Sequence, residues 1–284
     1  MAQHVRAIKG RIGNIKDIGQ ITRAMNAIAM TKVARMKRRL EQTRPYTEAL
    51  EAFLADAAGR LPADSERSVL LTGNQVTAVG VLVLNADRGL CGRYKGDLNR
   101  RAEELLSAAG PEGSLFVGGE KARLHFERRA VEPLRVYSRV YDKPEYEAAA
   151  RMADDLMDLY RAGDVGRIDV LYMRFISDLR QRMVLEQFLP ISVEGRTNDA
   201  LCEPEAGDLV DLILPIFLRG RLYGAILETK ASEDAIRRQA MKNATDNAED
   251  LLKALTRSYN KARQQAITRE IADIIGGAEA LRTT

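Results

Sequence analysis

The chain has 284 residues, of which 45% are hydrophobic, 30% are charged and none is tryptophan. This length allows one large domain or two ordinary ones, and an aromatic content of only 5% favours long helices over a β-sandwich. Two histidines and two cysteines are too few for a histidine-based metal site or a disulfide framework, and no apolar run reaches the ~20 residues that cross a bilayer.

The net charge of +4 hides an uneven distribution along the chain. Residues 1–44 carry eleven Lys or Arg against Asp17 and Glu41, which gives +9. Residues 231–284 carry nine against eight, which gives +1, so the middle of the chain sums to −6. A basic N-terminal segment on a chain of this kind predicts an acidic partner. Nucleic acid is disfavoured as that partner, because the basic cluster has neither interleaved aromatics nor a recognition motif.

Residues 1–58 are predicted to form a long helix, because apolar residues recur there at steps of three or four or their multiples. Glycine costs roughly 1 kcal/mol relative to alanine inside a helix. We therefore expect Gly10, Gly13 and Gly19 to mark the close approach of another backbone. The apolar stripe consists of Val5, Ile8, Ile12, Ile15, Ile18, Ile21, Met25, Ile28, Met36 and Leu40.

Residues 70–195 change to alternating strands and helices. The pattern predicts strands at 76–84, 114–117, 134–137, 167–176 and 183–193, and helices at 94–109, 120–128 and 145–161. This alternation is typical of a Rossmann-like α/β layer domain. The stretch 194–208 is predicted to be a linker.

The loop DRGLCG at 87–92 follows the first strong strand, where a phosphate-binding loop would stand. It matches neither a dinucleotide-binding fingerprint nor a P-loop, so a tight strand-to-helix turn made by Gly89 and Gly92 is the favoured interpretation. Cys91 as a nucleophile would need a histidine base that no motif supplies, and a small apolar filler is favoured instead. We expect no catalytic residues, no metal site and no cofactor.

Residues 208–284 are predicted to form a second long helix, although Pro215, Gly220 and Gly224 interrupt its first part, 208–231. The part from 232 to 281 lacks proline and would extend roughly 75 Å, too far to bury its stripe against one compact domain. Two striped helices at the chain ends predict an antiparallel coiled coil, with the remainder facing a surrounding partner. The C-terminal stripe consists of Met241, Ala244, Ala248, Leu251, Leu255, Tyr259, Ala262, Ile267, Ile271, Ile274, Ala278 and Leu281.

Several of these segments carry a specific resemblance. The stretch RIGNIKDIGQITRAMNAIAMTK at 11–32 resembles the start of the γ-subunit family of F-type ATP synthases. So do MKNATDNA at 241–248, YNKARQQAIT at 259–268, IIGGA at 274–278 and the 87–92 loop. The matches span the chain from about residue 8 to 281, and the order helix, α/β domain, helix is also the family's order.

The resemblance implies a rotor shaft without catalytic residues of its own, whose coiled coil turns inside a ring of three α and three β subunits. Catalysis would lie on the β subunits. The α/β domain would stand below the ring with the ε subunit and the membrane c-ring, and contact with the membrane would be made only through the complex. The implied location is the cytoplasmic side of a bacterial plasma membrane, as a peripheral protein.

The resemblance also implies contact residues, in three groups. Residues matching the contacts with β-subunit loops are Arg23, Met25, Lys32, Arg263, Gln264 and Thr268. Residues matching the slim shaft tip are Ile271, Ile274, Ile275, Gly276, Gly277, Ala278 and Leu281. Residues matching a loop that is structural or faces the rest of the stalk are Asp87, Arg88, Gly89, Leu90, Cys91 and Gly92.

Two other classes of function stay open at the level of sequence. One is an independent enzyme or ligand-binding protein built on the α/β domain, which needs a pocket near residues 89–92. The other is a coiled-coil adaptor that binds nucleic acid through residues 6–39, which predicts binding with a steep salt dependence.

Overall fold

The computed structural model describes residues 2–61, 68–141, 144–192 and 205–282. Within these ranges the helices are α1 Ala2–Gly59, α2 Val69–Thr72, α3 Tyr94–Ala109, α4 Glu120–Glu127, α5 Tyr146–Ala162 and α6 Ala206–Arg282, with a 3₁₀ turn at Gly110–Glu112. The strands are β1 Val79–Leu84, β2 Gly113–Gly118, β3 Arg135–Tyr137, β4 Arg167–Ser177 and β5 Arg180–Leu189. The predicted α/β class with long helices at both chain ends is confirmed.

The chain divides into two compact units. Unit 1 consists of Met1–Ile28 and Arg238–Thr284, and unit 2 consists of Ala29–Arg237. Unit 1 is therefore made of the two chain ends, whereas unit 2 contains the sheet and the remaining parts of α1 and α6.

The sheet of unit 2 has the strand order β3-β2-β1-β4-β5 in the part of the chain that the structure describes. β1 pairs in parallel with β2 and β4, β2 pairs in parallel with β3, and β5 runs antiparallel to β4. β1 reads VGVLVL and is buried over its last five residues. Such continuous apolar strands are typical of parallel sheets that are covered on both faces.

Helices cover both faces of this sheet. One face packs against α2, α5 and the first part of α6, through buried side chains such as Leu82, Leu156 and Leu218. The other face packs against α3 and α4, through Val81, Leu98 and Phe126 among others. Apolar packing on two faces makes unit 2 a three-layer α/β structure, as the alternation of strands and helices predicts.

The start of α6 lies close to the predicted start at residue 208. The helix begins at Ala206 and continues through Pro215, Gly220 and Gly224. A proline inside a helix costs ~3 kcal/mol. Burial of Leu214 and neighbouring side chains in the core of unit 2 offsets that cost. Within the predicted linker 194–208, residues 193–204 lie outside the described ranges.

In unit 1 the two chain ends pack as antiparallel helices, which confirms the predicted coiled coil. A Cβ added to Gly19 would lie 3.6 Å from the Ala248 Cβ, and the hydroxyls of Thr22 and Thr245 lie 2.8 Å apart. Residues later in α1 thus face residues earlier in α6, so the two helices are antiparallel. None of the helices in the described ranges combines length and apolar character sufficiently to cross a membrane.

The buried stripe of unit 1 differs from the predicted one at several positions. Ile18, Ile21, Ile28, Leu251 and Ile267 were assigned to the stripes but are exposed. From Val5 to Thr22 on α1 and from Thr245 to Ala266 on α6, the buried or half-buried positions alternate between steps of three and four, the 3.5-residue period at which two helices keep their seam together. These positions are Val5, Ile8, Ile12, Ile15, Gly19 and Thr22 on α1, and Thr245, Ala248, Leu252, Leu255, Tyr259, Ala262 and Ala266 on α6.

The prediction for the helical glycines is confirmed at one position and wrong at two. Gly19 faces Ala248 across the pair, so its lack of a side chain permits close packing. A Cβ added at Gly10 or Gly13 would meet nothing within 4 Å. These two glycines stand on the outer surface of unit 1, where a single chain does not constrain them.

Candidate subunit-contact sites

One layer of the helix pair in unit 1 is polar rather than aliphatic. Thr22 Oγ1 donates to the Gly19 carbonyl at 3.1 Å, and Thr245 Oγ1 donates to the Met241 carbonyl at 2.9 Å. Either hydroxyl can instead donate to the other across the 2.8 Å gap between the helices. Both threonines are buried, so this layer specifies which turns of the helices face each other.

The predicted contact residues of unit 1 lie on its surface. Arg23 is 66% exposed in its side chain and donates to Glu249 at 2.6 Å, while Met25 is half-buried. Arg263, Gln264 and Thr268 are exposed on successive turns of α6. Gln264 and Thr268 share one face of the helix, since they are four residues apart.

The end of α6 has no α1 residue opposite it. In the register set by the Gly19–Ala248 and Thr22–Thr245 pairs, Ala2 falls opposite residue 265. Beyond that point Ile267, Ile271, Ile274 and Ile275 are exposed, the last three by 52%, 71% and 58%. Ala278 is exposed as well. The surroundings of Gly276, Gly277 and Leu281 lie outside what the structure describes.

Lys32 belongs to unit 2 and is half-buried on α1. Its ammonium acts electrostatically on the carboxyl of Asp234 on α6 and favours the charged form of that acid. Lys32 therefore has an acidic neighbour within its own chain.

The 87–92 loop is a tight turn between β1 and α3. Leu90 and Gly92 have left-handed backbones, with φ of 61° and 56°. Leucine rarely takes this conformation, yet Leu90 does so with its side chain 60% exposed. Cys91 is 1% exposed, and burial raises the pKa of its thiol. The turn thus buries Cys91 and exposes Leu90.

The loop is poorly suited to hold a phosphate. A phosphate site at the end of a parallel strand uses backbone N–H groups at the start of the next helices. Here the Asp87 carboxylate accepts from the Glu120 N–H at 3.0 Å, at the start of α4. The negative charge of Asp87 beside that N–H group repels an anion such as phosphate. In the described ranges, no group of three or more His, Cys, Asp or Glu side chains could hold a metal ion.

A cluster of buried charges on α6, which the sequence interpretation missed, lies against this loop. We name it the ionic tetrad; it consists of Lys230, Glu233, Asp234 and Arg237. All four residues are at most 8% exposed. Lys230 Nζ lies 3.2 Å from a Glu233 oxygen and 3.3 Å from Asp234, and Arg237 pairs with both acids. Two bases and two acids make the tetrad neutral, which is how buried charge is tolerated.

The electrostatics of the tetrad reflect its burial. Desolvation raises the pKa of Asp234 above its ordinary value, against the favourable charges of Lys230 and Arg237. Desolvation also disfavours the charged Arg237 guanidinium, but the charge of Glu233 and its hydrogen bond outweigh this and raise the pKa of Arg237. The guanidinium therefore stays charged.

Sequence periodicity offers only a weak signal for such a cluster. Bases and acids at steps of three and four are what an exposed helix face also shows, as in the exposed pair Asp250–Lys253 farther along α6. The distinguishing feature is the run of buried small residues around the tetrad, including Ala231, Ser232 and Ala235.

Known proteins match almost the whole length of the chain. A family model described as ATP synthase matches residues 4–281. The chain is 37% identical to the ATP synthase gamma chain of Mycolicibacterium smegmatis, over 99% of both chains. It is also 37% identical to the ATP synthase gamma chain of Moorella thermoacetica, over 98% of this chain and 99% of that one.

Solved structures show the same fold at 18% identity. The Euglena gracilis mitochondrial ATP synthase rotor in rotational state 1 covers 94% of this chain and 100% of its own, with a TM-score of 0.68. The structure of the Euglena OSCP/F1/c-ring assembly in rotational state 3 contains a chain that covers 99% of this one, with a TM-score of 0.70. With the motifs at 11–32, 241–248 and 259–268, these matches establish that the chain belongs to the γ-chain family of ATP synthases.

Proposed function

We propose that this chain is the central rotor shaft of an F-type ATP synthase and transmits torque between a membrane c-ring and a catalytic α3β3 head. The observation that carries the proposal is the shape of unit 1. Two chain ends form a helix pair, and α6 continues past its partner with Ile267, Ile271, Ile274 and Ile275 exposed. Exposed apolar surface of this extent on a helix indicates a partner that covers it.

The mechanism follows from symmetry. A ring of three αβ pairs has three equivalent catalytic sites, whereas one helix pair has no threefold axis. At any angle the shaft therefore contacts each β subunit differently and stabilises a different conformation of each. Ion flow that turns the shaft would then carry every site through the same series of affinities for nucleotide.

Charge complementarity supports the placement of the contact residues. The +9 charge of residues 1–44 suits acidic loops on the β subunits. We assign those contacts to Arg23, Met25, Lys32, Arg263, Gln264 and Thr268. We assign the bearing within the ring to Ile271, Ile274, Ile275, Gly276, Gly277, Ala278 and Leu281, and contacts with the rest of the stalk to the 87–92 loop.

The other partners we propose are the ε subunit and the c-ring, with which the α/β domain would turn as one rotor. The solved structures of similar fold are a rotor and an OSCP/F1/c-ring assembly of an ATP synthase, which supports this arrangement. Bacterial relatives such as that of Moorella thermoacetica support a peripheral position on the cytoplasmic side of a bacterial plasma membrane. Contact with the membrane would then pass only through the complex.

We propose further that the chain has no catalytic residues or cofactor of its own, and that ATP chemistry takes place on β subunits. The functional division would be residues 1–58 and 208–284 for the shaft helices and 70–195 for the α/β domain. The anion-repelling Asp87 at the start of α4 supports a domain that does not bind nucleotide.

The test is reconstitution with α and β subunits from the same source. Purified chain, α and β should form a stable complex with one copy of this chain, and a bead fixed to the α/β domain should rotate when ATP is added. A chain that never associates with the α and β subunits would end the proposal. As a control, the isolated chain should show neither ATP hydrolysis nor nucleotide binding by calorimetry.

A further inference from the structure

Residues 229–237 of α6 are attached to the rest of unit 2 by polar contacts with three different segments, a helix, a strand and a loop. Tyr94 Oη at the start of α3 donates to the Thr229 carbonyl at 3.3 Å. Ser232 Oγ donates to the Met173 carbonyl of β4 at 2.9 Å. Arg237 donates from Nε and Nη2 to the Gly89 carbonyl, both at 3.4 Å. Three directional contacts of this kind oppose both sliding and rolling of the helix.

Arg237 is the residue through which the ionic tetrad reaches the 87–92 loop. Its Nη1 pairs with Asp234 and its Nη2 pairs with Glu233, one turn back along α6. The same guanidinium then faces the Gly89 carbonyl. Because the planar fork of arginine has five donors in fixed directions, pairing two of them to acids orients the remainder.

A buried ionic cluster is better suited to fixing geometry than to adding stability. Removing charges from water costs several kcal/mol per ion, and a buried ion pair often stabilises a protein no more than apolar side chains of equal volume would. Apolar packing of α6 alone is non-directional, so it would leave small rotations of the helix nearly free. Buried charges permit only the arrangement that pairs them all.

We propose that the ionic tetrad is a torque-bearing joint, in which Arg237 is the positioning residue that makes the 87–92 loop and α6 turn as one body. Arg237 is the last residue of unit 2, and α6 continues from it without interruption. The role under torque rests on the proposed function, whereas the hold of Arg237 on the loop does not.

The loop contains its own reporter in Cys91. This thiol is 1% exposed, so a thiol reagent reaches it only when the loop opens. In the full-length chain with Cys202→Ser, Arg237→Met should raise the labelling rate of Cys91 about tenfold or more, because charge-assisted hydrogen bonds to the loop are lost. Arg101→Met is the matched control, since it removes an exposed i,i+3 pair with Glu104 in the same unit. Labelling at the wild-type rate in Arg237→Met would overturn the proposal.

Two further variants separate positioning from charge balance. Glu233→Arg combined with Arg237→Glu keeps the tetrad neutral but moves the guanidinium one turn away from Gly89. The labelling rate of Cys91 in this exchanged variant should stay as high as in Arg237→Met, even if the restored charge balance returns the melting temperature to that of wild type. Arg237→Lys, the conservative variant, keeps the charge without the fork and should fall between wild type and Arg237→Met. Wild-type protection in the exchanged variant would show that charge balance suffices and that Arg237 positions nothing.

The role under torque is tested in membrane vesicles that carry the complete complex. Arg237→Met should lose ion pumping relative to ATP hydrolysed, because a loosened joint slips under load, whereas Arg101→Met should keep the wild-type ratio. Faster Cys91 labelling with an unchanged pumping ratio would refute the joint. Failure of the wild-type chain to assemble would instead refute the proposed function, and the labelling result would still decide whether Arg237 holds the loop.

Discussion

At the scale of single residues, burial rather than residue type decides how strongly the loss of a charged side chain affects the stability of this chain. Lys253 and Asp250 form an exposed pair at 3.2 Å, and a pair of this kind is worth at most ~1 kcal/mol. The ionic tetrad uses the same residue types at the same helical spacing but is buried. Removing one of its members would leave an uncompensated buried charge, which is among the more destabilising single changes in proteins.

Glu228 gives the clearest expectation for how the free energy of unfolding depends on pH. Its carboxyl lies 3.5 Å from Arg174 and 3.9 Å from Arg44, yet burial outweighs these cations and raises its pKa above the ordinary 4.5. Above pH 4.5 the folded state therefore holds this proton more strongly than the unfolded state does. The contribution of Glu228 to the free energy of unfolding must then fall as pH rises from 4.5.

Glu228→Gln should remove this dependence. Urea unfolding of wild type and variant between pH 4 and 7 gives the difference in their free energies of unfolding at each pH. Wild type should lose stability relative to Glu228→Gln as pH rises through the window just above 4.5. A difference that moves in the opposite direction would mean that Arg174 and Arg44 dominate over burial.

At the scale of elements, the two chain ends show how a helix pair selects its seam. Both helices carry more apolar positions than one seam can bury, and the strict 3.5-residue period runs through Thr22 and Thr245 while Ile21 and Leu251 stay outside. A threonine enters a seam at modest cost only where its hydroxyl finds a partner, and here each threonine has one.

The threonine layer predicts a non-additive double-mutant cycle. Thr22→Val or Thr245→Val alone should destabilise the chain by ~1 kcal/mol, since the remaining buried hydroxyl loses its partner across the seam. The double variant replaces both hydroxyls with methyl groups of equal shape, so it should cost clearly less than the sum of the single changes. Chemical denaturation of the four proteins measures the coupling. Additive costs would show that the 2.8 Å contact contributes nothing.

At the scale of the whole molecule, the exposed end of α6 makes sense only with a partner around it. Ile271, Ile274 and Ile275 are more than half exposed in the isolated chain. If they form a bearing, deletion of 271–284 should leave assembly with α and β subunits intact while lowering the torque measured on a rotating bead. Deletion of residues 283–284 alone is the control. Torque equal to that of the full chain would show that the end of α6 carries no load.

The sequence alone determined the classes of the elements and the family. Repeats of three and four residues identify helices, alternation with β-branched runs identifies the sheet, and motifs such as those at 11–32 and 259–268 are specific because they are local. The strand order, the start of α6 at Ala206 and the burial of the ionic tetrad were decided only by the tertiary structure.

The physical reason is that the burial of a residue depends on the surface that packs against it and not on its own segment alone. Ile18 and Thr22 lie one turn apart on α1, and only the position of α6 opposite them leaves Ile18 in solvent and buries Thr22. Likewise, Lys230, Glu233, Asp234 and Arg237 would form an ordinary charged helix face, were the 87–92 loop and the sheet not packed over them. Local periodicity predicts the helix, and the surface across from it decides which of its faces is the core.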